Sequence, residues 1–120
     1  MHKILIIDDS ITVRAMIGFV ILSEYPDAII SEVSDGKDAF SLLKTSSFNL
    51  IITDLEMDGG SGFTFIAKMQ SNSILKKKNI IIFSSSKNPN IKSQNVAFVD
   101  KNSHRDNLKA QIKKFLDEKK

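Results

Sequence analysis

The chain contains no cysteine. That excludes disulfides and thiolate metal centres and suits a reducing compartment. It also has no long hydrophobic run. The longest, Met16 to Leu22, is far shorter than the ~20 residues a membrane-spanning helix needs. The opening MHKILIIDDS places only Ile4, Leu5, Ile6 and Ile7 before two aspartates, too few for the core of a secretory leader. With two histidines and no cysteine, a zinc or copper site has little to draw on. Clusters of arginine with aromatic residues are missing as well. The net charge of +3 and pI near 9.2 reside in Lys76-Lys77-Lys78 and in the tail from Lys113 to Lys120, which read as solvated faces. The expectation is a soluble, cytoplasmic protein with no direct nucleic-acid binding and no membrane insertion.

What is present is a repeated pattern. The 120 residues are 42% hydrophobic without a compositional break, enough for one domain, 1–120, with a real core. Four short apolar runs each end in a polar residue of a different kind: ILII at Asp8-Asp9, LIIT at Asp54, IIIF at Ser84 and AFVD at Lys101. Continuous β-branched and leucine runs are the signature of strands covered on both faces. Strands are predicted at 4–7, 28–33, 50–53, 80–83 and 96–99, and helices from Asp9 or Ser10 to about Glu24, after Asp35-Gly36, from Phe63 and from His104 to Glu118. Asp58 to Gly62 reads as a flexible loop.

Strand and helix alternating in this way predict an α/β fold, a doubly wound five-stranded parallel sheet. One crossover breaks the pattern. Ser84 to Asn95, SSSKNPNIKSQN, holds a proline and Ile91 as its one large apolar residue, so it cannot present an amphipathic face over several turns. The fourth crossover helix is therefore expected to be shortened or absent.

In a parallel sheet the carboxyl ends of the strands form one edge, where open α/β sheets place their sites. Asp8, Asp9 and Asp54 would meet there and repel one another unless protons or a hard cation neutralise them. Mg²⁺ suits such a set because it takes oxygen ligands and is often completed by substrate phosphate. A carboxylate beside the metal can attack phosphorus and form an acyl phosphate. A lysine and a hydroxyl, the types of Lys101 and Ser84, could bind the phosphoryl oxygens from the other side.

IIDDS at the first strand, ITDLEM at the third, a serine after the fourth and a lysine after the fifth together resemble the receiver domain of two-component response regulators, of the single-domain chemotaxis type. The resemblance covers essentially the whole chain. It implies the flavodoxin-like strand order 2-1-3-4-5, with Asp54 as phosphoacceptor and Mg²⁺ as cofactor. Asp9, Asp54 and the Glu56 backbone carbonyl would be direct metal ligands, and Asp8 would hold the ion largely through water. Ser84 would be the switch hydroxyl, Lys101 the phosphate-pairing lysine and Phe98 the aromatic switch residue. It also implies a histidine kinase or histidine phosphotransfer protein as donor, a downstream protein target, and a phosphoacceptor that is not an enzyme beyond slow self-dephosphorylation. Ile11, Arg14 and Ala15 of the first helix are expected to contact the donor. Asp58 and Asn102 stand where the family usually has prolines.

Each residue also has a plainer reading. Asp8-Asp9 can cap a helix, Lys101 can be a solvated lysine and Phe98 ordinary core, and His2 and His104 are expected at the surface. Three other accounts remain open: a module that keeps the fold but signals without phosphate, the receiver portion of a larger regulator, and a Mg²⁺-dependent phosphohydrolase.

Overall fold

The structure, a computed structural model, describes residues 2–56, 62–72, 75–86, 91 and 93–117. Five strands, β1 (Lys3–Ile7), β2 (Ile29–Val33), β3 (Leu50–Thr53), β4 (Ile80–Ser84) and β5 (Val96–Asp100), form one sheet in the order β2-β1-β3-β4-β5. All four pairings are parallel. Four helices, α1 (Ile11–Glu24), α2 (Gly36–Leu43), α3 (Gly62–Ser71) and α4 (Arg105–Asp117), cover the two faces, and a single 3₁₀ turn, Leu75–Lys77, precedes β4.

Successive strand residues point to opposite faces, so every residue of a central run must be apolar. Ile4, Ile6, Leu50, Ile52, Ile81 and Phe83 meet Ile17, Val20 and Ile21 of α1 and Leu108, Ile112 and Leu116 of α4. Leu5, Ile7, Ile51, Ile80 and Ile82 meet Ala39 and Leu43 of α2 and Phe65, Ile66 and Met69 of α3. This is the doubly wound architecture expected from the sequence.

Helix starts follow local chemistry. Ser10 caps α1, its hydroxyl accepting from the Val13 amide at 3.2 Å. Asp35 caps α2, its carboxylate accepting from the Asp38 amide at 2.8 Å. Ser84 is the last residue of β4 and not the first beyond it, and β5 runs one residue past the expected end, to Asp100. Between β4 and β5, residues 85, 86, 91 and 93–95 are not helical, in keeping with the shortened or absent helix expected there; 87–90 and 92 lie outside the described residues, as does most of the Asp58 to Gly62 loop. Among the described residues no helix is long and apolar enough to cross a membrane.

Candidate functional site

β1 and β3 are neighbours at the centre of the sheet. Their connections leave towards opposite faces, since α1 packs on one and α3 on the other, which opens a crevice at the strand ends. Asp8 follows β1 directly, and its amide continues the sheet pairing by donating to the Val33 carbonyl at 3.2 Å. Asp54 follows β3, its amide donating to the Ile7 carbonyl at 3.1 Å. Both carboxylates are thereby fixed by backbone rather than by side-chain rotamer alone. Asp8 and Asp54 are buried, whereas Asp9 and Glu56 are exposed.

One oxygen from each of Asp8, Asp9 and Asp54 lies within 4.8 Å of the others. Lys101 closes the group from the β5 side. Its Nζ is 2.7 Å from Asp54 Oδ2 and 2.8 Å from Asp8 Oδ2. Only the contact to Asp54 has hydrogen-bond alignment; Asp8 Oδ2 is buried and accepts no aligned hydrogen bond. The amide of Lys101 donates to the Ser84 carbonyl at 3.0 Å, which brings the lysine and the serine to the same edge. The Ser84 hydroxyl is buried and accepts from the Ser86 amide at 3.1 Å.

Asp54 Oδ1 accepts from the Leu55 amide at 2.6 Å and from the Glu56 amide at 3.3 Å. Burial alone would raise the Asp54 pKa, but the hydrogen bond from Lys101, the Ser84 hydroxyl, the Lys101 charge and the Glu56 amide together hold it below the ordinary carboxylate value. Burial likewise works against the charged form of Lys101, yet Asp54 and Asp8 hold its ammonium more firmly than water does, and its pKa is raised. At neutral pH Asp54 is an ionised, oriented carboxylate against a protonated lysine.

All six residues singled out in the sequence, Asp8, Asp9, Asp54, Glu56, Ser84 and Lys101, thus come to one edge. The donor set fits Mg²⁺: the ligands are oxygens only, one buried carboxylate oxygen has no aligned hydrogen bond, and one ammonium cannot balance three clustered carboxylates.

The response regulator receiver domain family model matches residues 4–113. The chain belongs to the response regulator receiver domain family. Among curated relatives, a gliding motility regulatory protein of Myxococcus xanthus is 28% identical over 87 residues, covering 72% of this chain and 11% of the relative. A protein-glutamate methylesterase/protein-glutamine glutaminase of Syntrophomonas wolfei is 29% identical over 83 residues, 69% of this chain and 23% of the relative. The chain spans less than a quarter of the length of the curated relatives it matches. Among solved structures, the chemotaxis response regulator CheY4 of Vibrio cholerae superposes with a TM-score of 0.79 at 22% identity, over 96% of this chain and 98% of the other. The response regulator TrrA of Thermotoga maritima in complex with Mg²⁺-BeF gives 0.82 at 24%, over 96% and 99%. The likeness to these structures is one of fold.

The receiver fold also shows what sequence reasoning missed. Arg14, expected on the donor-contacting face of α1, is turned inward. Its Nε donates to Glu32 Oε1 at 2.9 Å and its Nη1 to the Asp8 backbone carbonyl. It therefore braces the Asp8 turn against β2. Ile11 and Ala15 are exposed, and Ile11 is joined along the outer surface of the helix by Phe19 and Leu22. Phe98 is half-buried against the α2/α3 side of the core. His104 is exposed as expected, whereas His2 is half-buried with its ring edge-on to Tyr25 at 4.8 Å.

Proposed function

We propose that this receiver accepts a phosphoryl group on Asp54 from the phosphohistidine of a histidine kinase or histidine phosphotransfer protein, in a Mg²⁺-dependent reaction. The reading is supported above all by Lys101 Nζ bridging Asp54 and Asp8 at 2.7 and 2.8 Å beside a third carboxylate. Asp8, Asp9 and Asp54, with the Glu56 backbone carbonyl, would hold the ion. When bound, Mg²⁺ neutralises charge on the phosphoryl oxygens. The Leu55 and Glu56 amides orient the Asp54 carboxylate for in-line attack on phosphorus. As the O–P bond forms, the P–N bond of the donor breaks, and the imidazole keeps the electron pair. Lys101, released from Asp54, pairs with a phosphoryl oxygen, and the Ser84 hydroxyl turns from its local contact to donate to another. The phosphoryl adds close to two negative charges and strong acceptors at the end of β3. That is enough to draw the ends of β4 and β5 inward and shift a two-state surface.

Output is then protein–protein contact with a downstream target, with Asp54 dephosphorylating slowly of its own accord. The gliding motility relative and the chemotaxis structure point to a chemotaxis or motility setting. A second reading, a phosphate-independent interaction module, is favoured by the non-helical residues between β4 and β5. The small share of each curated relative that the chain spans favours its being the receiver portion of a larger regulator.

Incubation with acetyl phosphate and Mg²⁺, followed by intact mass, separates these accounts. The expected result is a gain of one phosphoryl group that is lost in Asp54→Asn. No gain would favour the silent module, and rapid turnover of phosphate esters a phosphohydrolase.

A further inference from the structure

From Gly59 to Val99 the sequence contains no aspartate or glutamate, yet it holds six lysines, Lys68, Lys76, Lys77, Lys78, Lys87 and Lys92. The fold collects four of these, with two more from outside the stretch, at the pole opposite the acidic pocket. Lys3 opens β1 and Lys78 stands just before β4, so both lie at the amino ends of the strands. Helices of this fold run antiparallel to the strands, so Lys44, which caps the carboxyl end of α2, and Lys68, in the last turn of α3, come to the same pole. Lys76 and Lys77 form the 3₁₀ turn beside them.

Four of the six ammoniums meet uncharged partners rather than carboxylates. Lys44 and Lys68 approach the ring of Phe40 to 5.6 and 5.5 Å from its centroid, so two ammoniums from different helices share one aromatic side chain. Lys3 lies 5.7 Å from the centroid of Phe48, and Lys78 Nζ donates to the Ser47 hydroxyl at 3.2 Å. Among the described residues none of the six is ion-paired; the paired cations are Arg14, Lys101, His104, Lys109 and Lys113. Of the carboxylates at this pole, Glu24 and Asp117 lie on the α1/α4 side, held by Lys109 and Lys113 and by Tyr25, and Asp27 stands exposed in the turn before β2, at the far edge of the sheet from Lys78.

We infer that this lysine pole is a peripheral docking surface for an anionic lipid bilayer. The six ammoniums come from five places in the fold and stand at one end of the molecule, a distribution that a planar multivalent anion meets at once and a single peptide strand does not. Lysine, a compact point charge on a flexible stem, suits diffuse attraction; the pole has no arginine for bidentate phosphate recognition. Adsorption here is chiefly electrostatic: of the exposed large apolar residues, Ile11 and Phe19 lie further along α1, while only Leu22, in its last turn, and Ile29, paired with Lys3 across β1 and β2, reach the edge of this pole. The acidic pocket then faces away from the bilayer, open to a soluble partner. The inference is independent of phosphorylation at Asp54.

Cosedimentation with vesicles of phosphatidylcholine containing a third phosphatidylglycerol tests it, with duplex DNA and polyglutamate as competing probes. The expected result is binding to the anionic vesicles at low salt, none to pure phosphatidylcholine, and loss in 1 M salt, where screening acts within about 3 Å. Lys44→Glu, Lys68→Glu and Lys76→Glu should each weaken partitioning by about fivefold or more. Arg105→Glu, which changes net charge equally at the opposite pole, should leave it within about twofold, and Asp54→Asn should leave it unchanged. Absence of binding, an equal loss in Arg105→Glu, or tighter binding to DNA or polyglutamate than to the vesicles would each overturn the assignment. Circular dichroism of the variants separates loss of the surface from loss of the fold.

Discussion

Lys101 stands between two carboxylates that would otherwise face each other, its ammonium 2.7 Å from Asp54 and 2.8 Å from Asp8. Replacing it with methionine keeps the stem but leaves Asp8, Asp9 and Asp54 uncompensated. A destabilisation of about 3 kcal/mol is expected by chemical denaturation without metal. Mg²⁺ should restore much of that loss, so the metal-dependent rise in melting temperature should be larger in Lys101→Met than in the parent. A smaller rise would mean that lysine and metal do not compete for the same charge. The pH dependence has two limbs. Asp54 has a lowered pKa in the folded state, so its contribution is present above the unfolded value and lost as pH falls through the folded one; Lys101 has a raised pKa, so its contribution is lost as pH rises through its folded value.

Tyr25 offers a cleaner titration, because it is the sole tyrosine and the chain has no tryptophan. Burial and the 2.6 Å hydrogen bond to Asp117 push its phenol well above the usual value. Phenolate absorbance should therefore rise only far above pH ~10 in the native protein, and at lower pH in Asp117→Asn. Stability from this contact is full below the unfolded phenol value and declines as pH climbs beyond it. A native midpoint near 10 would show that the contact does not persist in solution.

At the scale of elements, α1 depends on its first turn. It carries no acidic residue there, and Ser10 alone meets its amides through a side chain. Ser10→Ala should cost about 1 kcal/mol by denaturant unfolding, with the loss showing as fraying next to Asp8 and Asp9. No change in stability would mean that Thr12 or water substitutes for the cap. The strands were legible because burial on both faces demands unbroken apolar runs: LIIT and IIIF admit little else. The site was legible for the same reason, since each run stops where the chain reaches the polar edge. Arg14 was not legible. Its partners, the Asp8 carbonyl and Glu32, come from elements whose adjacency only the folded sheet provides, and periodicity places it simply on a helix surface. The one-residue extension of β4 to Ser84 follows from pairing with Asp100 on β5, again a nonlocal cause.

The molecule as a whole is polarised: carboxylates converge at the carboxyl ends of the strands, and unpaired lysines gather at the amino ends. Neither pole follows from the net charge of +3, because the sum hides the separation. Binding of Mg²⁺ to the acidic pole should stabilise the folded state by about 2.7 kcal/mol at a hundredfold excess over Kd, and little in Asp54→Asn; equal stabilisation in both would place the ion elsewhere. Asp54 is the proposed carrier of the phosphoryl group. Treatment with acetyl phosphate and Mg²⁺, borohydride reduction of the acyl phosphate and tandem mass spectrometry test this directly. Homoserine at position 54 and nowhere else is the predicted result, and homoserine at 8 or 9, or at no position, would contradict it.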